Sequence, residues 1–257
     1  MSIKFIILGC GSSLGVPRID GFFGNCDPKN KKNYRTRCCA LIKTKNKNVL
    51  IDTSPDLKQQ LIKNKIYNIN KVFYTHHHAD QTHGINELRF FYLKNRDKID
   101  IYTNSLTKKY LFNSFGYCFK KSKDYPPILQ NNSLKKSHSY SDNRKTIKLK
   151  CIEVEHGNIN SVCYVINNRL AYASDVSKIH NKDFKALKKL KYLVIDCLQY
   201  NHHPSHYCLS EILVLIKKIK PKKTVLTNLA SSIDYTKIKK ILPKNVIPAY
   251  DGLTLTI

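Results

Sequence analysis

Tyr74-Thr-His-His-His-Ala-Asp-Gln-Thr-His83-Gly84 is the stretch on which the reading of this 257-residue chain turns. It continues the apolar run Lys71 to Thr75 and ends at a glycine ahead of a helical pattern. Alternate side chains of an extended segment share a face, so His76 and His78 point the same way. Asp80 falls just past the strand end, where a turn can bring its carboxylate toward the same point. Two imidazoles and a carboxylate converging there suit a divalent transition metal, Zn²⁺ first, with Mn²⁺ or Fe tolerated. The bland alternative is a surface histidine tract that binds metal incidentally; the strand before it and the glycine after it weigh against that.

Four more polar residues close apolar runs in the same manner. Asp52 ends Val49-Leu-Ile-Asp52, His156 ends Ile152-Glu-Val-Glu-His156, Asp175 ends Ala171-Tyr-Ala-Ser-Asp175 and Asn228 ends Val225-Leu-Thr-Asn228. Such strand-end positions are where α/β proteins assemble active sites. Singly, each reads as a cap or turn residue: Asp175 precedes a helical segment and Asp52 a Thr-Ser-Pro turn. Alongside the histidine cluster they mark one site.

Eleven runs have strand character: Ile3 to Leu8, Cys38 to Ile42, Asn48 to Asp52, Lys71 to Thr75, Ile99 to Thr103, Ile147 to Glu155, Val162 to Ile166, Leu170 to Ser174, Tyr192 to Asp196, Thr224 to Asn228 and Leu253 to Ile257. Helical patterns lie at Pro55 to Asn64, Ile85 to Lys94, Leu106 to Phe115, Asn181 to Leu190, Leu209 to Lys218 and Tyr235 to Leu242. Strands in groups with helices interleaved predict an α/β fold, a four-layer αββα sandwich of two mixed β-sheets packed face to face. Residues 1–257 read as one domain. Lys120 to Lys145, with its Pro126-Pro127 pair and few apolar residues, reads as a flexible insertion or a functional lid.

Composition narrows the function classes. Lys and Arg number 45 against 18 Asp and Glu, a formal charge of +27, and 42% hydrophobic residues exclude wholesale disorder. Only seven of the basic residues are Arg, the residue whose planar fork recognises phosphate and bases, and the lysines run from end to end. A solvated lysine surface is therefore the better reading, and a nucleic-acid stripe is not favoured. No apolar run approaches the ~18 residues of a membrane span, and Phe5 to Leu8 is too short for a secretory leader, so the chain reads as cytoplasmic with no membrane partner. Ile7-Leu-Gly-Cys10 mimics a lipoprotein box but reads as a strand entering a glycine turn. Nine cysteines without a Cys-x-x-Cys pair read as reduced core thiols. A homodimer is left open.

With these residues in place, the sequence resembles the metallo-β-lactamase fold family over essentially its whole length. The family order of strand-end Asp, His-x-His-x-Asp-His, distant His, bridging Asp and final His falls here on Asp52, then His76, His78 and Asp80, then His156, then Asp175. Leu8-Gly-Cys-Gly-Ser-Ser-Leu-Gly-Val-Pro17, Arg35-Thr-Arg37-Cys-Cys39, Pro204-Ser-His206 and Tyr250-Asp-Gly252 look most like the branch holding the phosphoribosyl cyclic phosphodiesterases and the tRNA 3′-processing nucleases. Two departures stand out. Gln81 replaces the family's second histidine after the Asp, and Asn228 replaces its final one; both positions would ligate a second metal by resemblance. His83 is the one residue nearby that could substitute. The cysteine-rich structural zinc site of some relatives is reduced to Cys26, which implies that it is not retained.

The resemblance implies a metal-dependent hydrolase: one tight zinc held by His76, His78, His156 and Asp175, a second site weak or absent, and attack on substrate by metal-bound hydroxide. It places Asp80 beside the nucleophile, His206 as the general acid, and Asp52 as the carboxylate that fixes a ligand histidine through its other nitrogen. Arg18 and Arg37 are candidates for substrate phosphate, and Gln81, His83 and Asn228 for a second metal or substrate. A small cyclic or linear phosphodiester is the leading substrate. A ribonuclease acting on tRNA or other RNA ends, a thioester or lactam hydrolase, and a catalytically weak descendant are the alternatives. The nuclease is set behind because no glycine- and basic-rich clamping arm is evident.

Overall fold

The structure is a computed structural model that describes residues 3–123, 125–142 and 145–257. In chain order its strands are β1 (Lys4–Gly9), β2 (Cys39–Lys43), β3 (Asn48–Ile51), β4 (Lys71–Phe73), β5 (Ile99–Thr103), β6 (Leu129–Ser133), β7 (Ser137–Asp142), β8 (Lys145–His156), β9 (Ile159–Ile166), β10 (Leu170–Ala173), β11 (Tyr192–Asp196), β12 (Lys223–Thr227), β13 (Val246–Pro248) and β14 (Leu253–Thr256). Its α-helices are α1 (Leu57–Lys63), α2 (Ala79–Thr82), α3 (Arg89–Asn95), α4 (Ser105–Ser114), α5 (Phe184–Leu187), α6 (Leu209–Ile219) and α7 (Tyr235–Ile241).

The strands form two seven-stranded sheets, β14-β1-β2-β3-β4-β5-β6 and β13-β12-β11-β10-β9-β8-β7. Each is mixed: β3 to β6 are parallel in the first and β10 to β13 in the second, with antiparallel strands completing both. Inner strands read as unbroken apolar runs because both faces are covered. In β1, Phe5 and Ile7 face the other sheet, while Ile6 and Leu8 face helices. Phe5, Ile42, Ile51 and Phe73 meet Leu149, Val162, Tyr164 and Tyr172 between the sheets. Outside the first sheet, Leu57, Leu61, Leu88, Phe91 and Leu111 cover Leu41, Leu50 and Val72. Outside the second, Ile212, Leu215, Ile219 and Ile238 cover Ala171, Ile195 and Leu226. These are the four layers the sequence predicts.

Helix α6 shows how local sequence sets a boundary. Leu209, Ile212, Leu215, Ile216 and Ile219 form its buried stripe, the Glu211 carboxylate accepts the Cys208 N–H at 2.9 Å, and Lys220 ends the helix at φ 50°. All nine cysteines are free thiols, eight buried and Cys151 half-buried. The closing Tyr250-Asp-Gly252 also gains a structural reason: Asp251 accepts the N–H groups of Cys10 (3.1 Å) and Thr36 (2.8 Å) and the Thr36 hydroxyl (2.7 Å). It thereby clasps the loop after β1 to the approach to β2.

One expectation changes. The segment expected as a flexible insertion at 120–145 supplies β6 and β7, the edge strands of the two sheets; Asp124, Asn143 and Arg144 of that segment lie outside the described residues. Edge strands carry polar residues because one side meets solvent. Leu-Gln-Asn-Asn-Ser and Ser-His-Ser-Tyr-Ser-Asp accordingly lack the apolar content of a buried strand. No helix among the described residues is long and apolar enough to cross a membrane.

The sheets are also pinned by a polar bond: the Tyr164 hydroxyl in β9 donates to the Tyr74 carbonyl just beyond β4, at 2.6 Å and fully buried. Tyr164→Phe leaves that carbonyl without its donor, which costs about 1–3 kcal/mol. Chemical denaturation is expected to show a lower midpoint at an unchanged m-value; an unmoved midpoint would mean that the bond contributes nothing to docking.

Candidate metal centre

Each site residue leaves the C-terminal end of a strand, and these ends converge. Asp52 follows β3 at φ 64° and Asn228 follows β12 at φ 58°, left-handed backbone that Asp and Asn tolerate better than other non-glycine residues. Beyond β4, Thr75, His76 and His78 lead into α2, whose first turn carries Asp80. His156 ends β8 ahead of a two-residue turn in which Gly157 takes φ 57°.

Three imidazoles face one another. His76 Nε2 lies 3.0 Å from His78 Nδ1, and His156 Nε2 lies 3.3 Å from the same atom. Their far sides fix the tautomers. The Thr75 N–H and hydroxyl donate to Asp52 at 2.7 and 2.8 Å, so the Thr75 oxygen accepts from His76 Nδ1–H at 3.0 Å. His156 Nδ1–H donates to the Ser205 carbonyl at 2.7 Å. Both Nε2 atoms thus turn lone pairs inward, and one proton on His78 Nδ1 can serve only one of them. A cation removes the conflict. A tetrahedral ion with bonds of ~2.0–2.1 Å spaces its ligand nitrogens by about 3.4 Å, close to the His78–His156 separation. Burial and neighbouring imidazoles hold His76 well below the usual histidine range, burial holds His78 below it, and burial with His206 nearby takes His156 down to about 4. Neutral imidazole is the ligating form. The residues present therefore fit a divalent metal.

His156, Asp175 and His206 offer ligand atoms within 4.8 Å of one another, as do His76, His78 and His156; the two groups share His156. Asp175 therefore joins His156 and His206 and not the cluster of three histidines that the sequence expected it to complete. Burial, with Asp80 and Asp196 close by, pushes Asp175 up to about 8. Gln81 Nε2 donates to Asp175 Oδ2 at 3.1 Å and to Asp80 Oδ2 at 3.3 Å, and Asn228 Nδ2 donates to Asp175 Oδ1 at 3.2 Å. The two amides thus meet the carboxylates as N–H donors where a second metal was in question, leaving Gln81 Oε1 buried without a donor.

His206 Nδ1 donates to Asp196 Oδ2 at 2.6 Å, with the carboxylate fully buried. Burial alone would lower His206, but Asp196, Asp175 and Asp80 raise it to about 9; burial raises Asp196 only to about 6, so near neutral pH the pair is an imidazolium and a carboxylate. Asp196 was absent from the candidates, although it closes the run Tyr192-Leu-Val-Ile-Asp196 as Asp52 and Asp175 close theirs. Ser205, whose carbonyl orients His156, was also missed; no side-chain signal announces a backbone contact.

Other candidates sit elsewhere. Asp52 reaches His76 only through Thr75, not by direct contact with a histidine nitrogen. His83 turns away from the carboxylates, its Nε2 2.8 Å from the Tyr110 hydroxyl and its ring beside Phe115. Arg18 is paired with Asp20, and Arg37 holds Asp56 through both Nε (2.8 Å) and Nη2 (2.6 Å); neither lines the cleft over the histidine cluster. The cleft over the site, about 430 Å³, is lined by His78, Asp80, His156, Asp175, His203, His206 and Asn228 with Ser12, Ser13, Leu14 and Leu198 among their neighbours, and by no Lys or Arg among the described residues.

Residues 47–227 match the model of the beta-lactamase superfamily domain. A solved diphosphatase of the PhnP family superposes with a TM-score of 0.90 at 26% identity, over 100% of this chain and 98% of that one. The short form of human tRNase Z superposes with a TM-score of 0.70 at 16% identity, over 99% of each chain. The octanoyltransferase of Porphyromonas gingivalis strain W83 is 28% identical over 260 residues and 99% of this chain, which spans about half (52%) of that protein's length. With the domain match covering most of its length and the histidine–aspartate cluster at its strand ends, this chain belongs to the β-lactamase superfamily, among its metallo-β-lactamase fold hydrolases.

Proposed function

We propose that the chain is a metal-dependent phosphodiesterase acting on a small cyclic or linear phosphodiester, with zinc in one tight site. The observation that carries this reading is the buried Asp196–His206 pair beside the imidazole cluster. An alkoxide leaving from phosphorus needs a proton, whereas a thiolate leaves without one. His206, kept protonated by Asp196 and facing the cleft, is the donor an alkoxide requires. Support also comes from the similarity to a PhnP-family diphosphatase, an enzyme of hydrolysis at phosphorus. The cleft volume, about 430 Å³, suits a small molecule.

His76, His78 and His156 would hold the metal, with Asp175 at its side. When bound, a divalent cation supplies Lewis-acid charge and lowers the pKa of a water from 15.7 toward ~7. Asp52, through Thr75, and the Ser205 carbonyl keep two of the ring nitrogens aimed. Asp80 orients the attacking water and accepts its proton, and His206 delivers a proton from Nε2 to the departing oxygen while Asp196 holds Nδ1. Hydrolysis of an acyl thioester is the second reading; the octanoyltransferase of P. gingivalis, half of whose length the chain matches, acts on an acyl group. An RNA substrate would need a basic track that this cleft lining does not provide.

Zinc titration of metal-free protein is expected to show one tightly held equivalent, unchanged in His83→Ala. Two tight equivalents in wild type would overturn the single-site reading. His206→Ala is expected to lower kcat on a ribose cyclic phosphate by roughly 10²–10⁴-fold, with far less loss on bis-p-nitrophenyl phosphate, whose acidic leaving group needs no proton. Asp196→Asn should move the same rate in the same direction, and the double variant should fall little further, because the two act as one unit. If His206→Ala loses its metal, His206 is a ligand and the assignment fails.

A further inference from the structure

The cleft contains a histidine that the reaction above does not use. His203 and His206 face each other as an antiparallel bridge closed by Pro204 and Ser205. Opposed residues of such a bridge project on the same side; the two rings lie 5.1 Å apart, and both line the cleft. The Ser205 N–H donates to His203 Nδ1 at 3.2 Å. With Nδ1 acting as acceptor, the proton of a neutral ring sits on Nε2. His203 belongs to no metal-capable group among the described residues, and its Nε2 has no acceptor among them. Ser205 therefore aims two rings with its backbone: its carbonyl turns the lone pair of His156 Nε2 toward the imidazole cluster, and its N–H leaves His203 Nε2–H as a donor.

The surroundings specify what that donor meets. Although the chain carries a net +27, no Lys or Arg among the described residues lines the cleft, and Arg18 and Arg37 are paired with Asp20 and Asp56. The side-chain donors the cleft offers an anionic substrate are therefore imidazole N–H groups together with neutral hydroxyls and amides such as Ser12, Ser13 and Gln199. The geometry points to His203 Nε2–H as an anion subsite, a positioning donor for a non-reacting phosphoryl oxygen of the diester. This rests on the phosphodiesterase reading for the identity of the substrate, but not for the existence of the donor.

Two measurements on the metal-loaded full chain test it. The first is steady-state hydrolysis of bis-p-nitrophenyl phosphate by wild type, His203→Ala, His203→Gln and His203→Asn. A hydrogen bond to a charged group is worth roughly 10–100-fold, so His203→Ala is expected to raise KM by about that factor, with kcat changed less and metal content unchanged. Glutamine places an amide N–H near the Nε2 position and should restore most of the loss, whereas asparagine, which reaches only the Nδ1 position, should not. The second is calorimetric titration of inorganic phosphate into the same proteins, in which His203→Ala should weaken binding and His203→Gln recover it. If wild type hydrolyses the diester and His203→Ala matches it in KM and in phosphate affinity, the subsite is refuted while the activity stands. If wild type hydrolyses no diester yet binds phosphate in a His203-dependent way, the subsite stands and the activity reading falls. Loss of metal from His203→Ala would make His203 a ligand and overturn the inference.

Discussion

His76 and His78 leave the end of β4 in one sheet and His156 leaves the end of β8 in the other, so the 3.3 Å approach of His78 to His156 holds only while the two sheets keep their docking. A metal site usually needs its ligands placed to within a few tenths of an ångström. Here that tolerance falls on an interface of side chains such as Phe5, Phe73, Tyr164 and Tyr172, packed as densely as any core and so resistant to sliding. The Tyr164 bond to the Tyr74 carbonyl sits one residue before Thr75, which carries the Asp52 link to His76. Packing, sheet docking and histidine aim are therefore one continuous set of contacts.

The charge pattern follows from the same arrangement. Asp52, Asp175 and Asp196 are all buried at strand ends within one site, with Asp80 half-buried beside them, and burial raises each of them above the usual carboxylate range. Such a group is costly unless positive charge or hydrogen-bond donors accompany it. Each acid has its own answer: Thr75 for Asp52, the amide of Gln81 for Asp80, the amides of Gln81 and Asn228 for Asp175, and the imidazolium of His206 for Asp196. Among the described residues no lysine lines the cleft. The large net charge thus describes the outer surface and says little about the chemistry within.

Most of this was legible in the chain. Strands buried on both faces produce apolar runs that mark themselves, and the eleven runs all form strands. The three strands that were not foreseen, β6, β7 and β13, lie at sheet edges, and an edge strand is held by pairing that no local pattern encodes. In the site, the histidines announced themselves through spacing. Asp196 carried the same strand-end signal as Asp52 and was passed over because no family position drew attention to it. His203 looked like a spare loop residue because its role depends on the Ser205 N–H, a backbone group with no sequence signature. The position of His83 could not be read either: one helical turn decides whether a ring faces the carboxylates or Tyr110.

The exchange of two imidazoles for Gln81 and Asn228 changes more than metal number. A carboxylate oxygen that accepts an amide N–H keeps one lone pair for a cation; Asp175 accepts such a bond on both oxygens, which leaves one lone pair on each. Displacing the amides would require both side chains to turn over, and that of Asn228 is mounted on a left-handed residue with little freedom to adjust. On the proposed single-metal reading, such a centre would concentrate less positive charge than a two-metal one. It would be better matched to a singly charged diester than to a doubly charged monoester, and would leave the remaining phosphoryl oxygens to neutral or imidazolium N–H donors. His203 and His206, opposed across one tight turn, are the groups the fold places there.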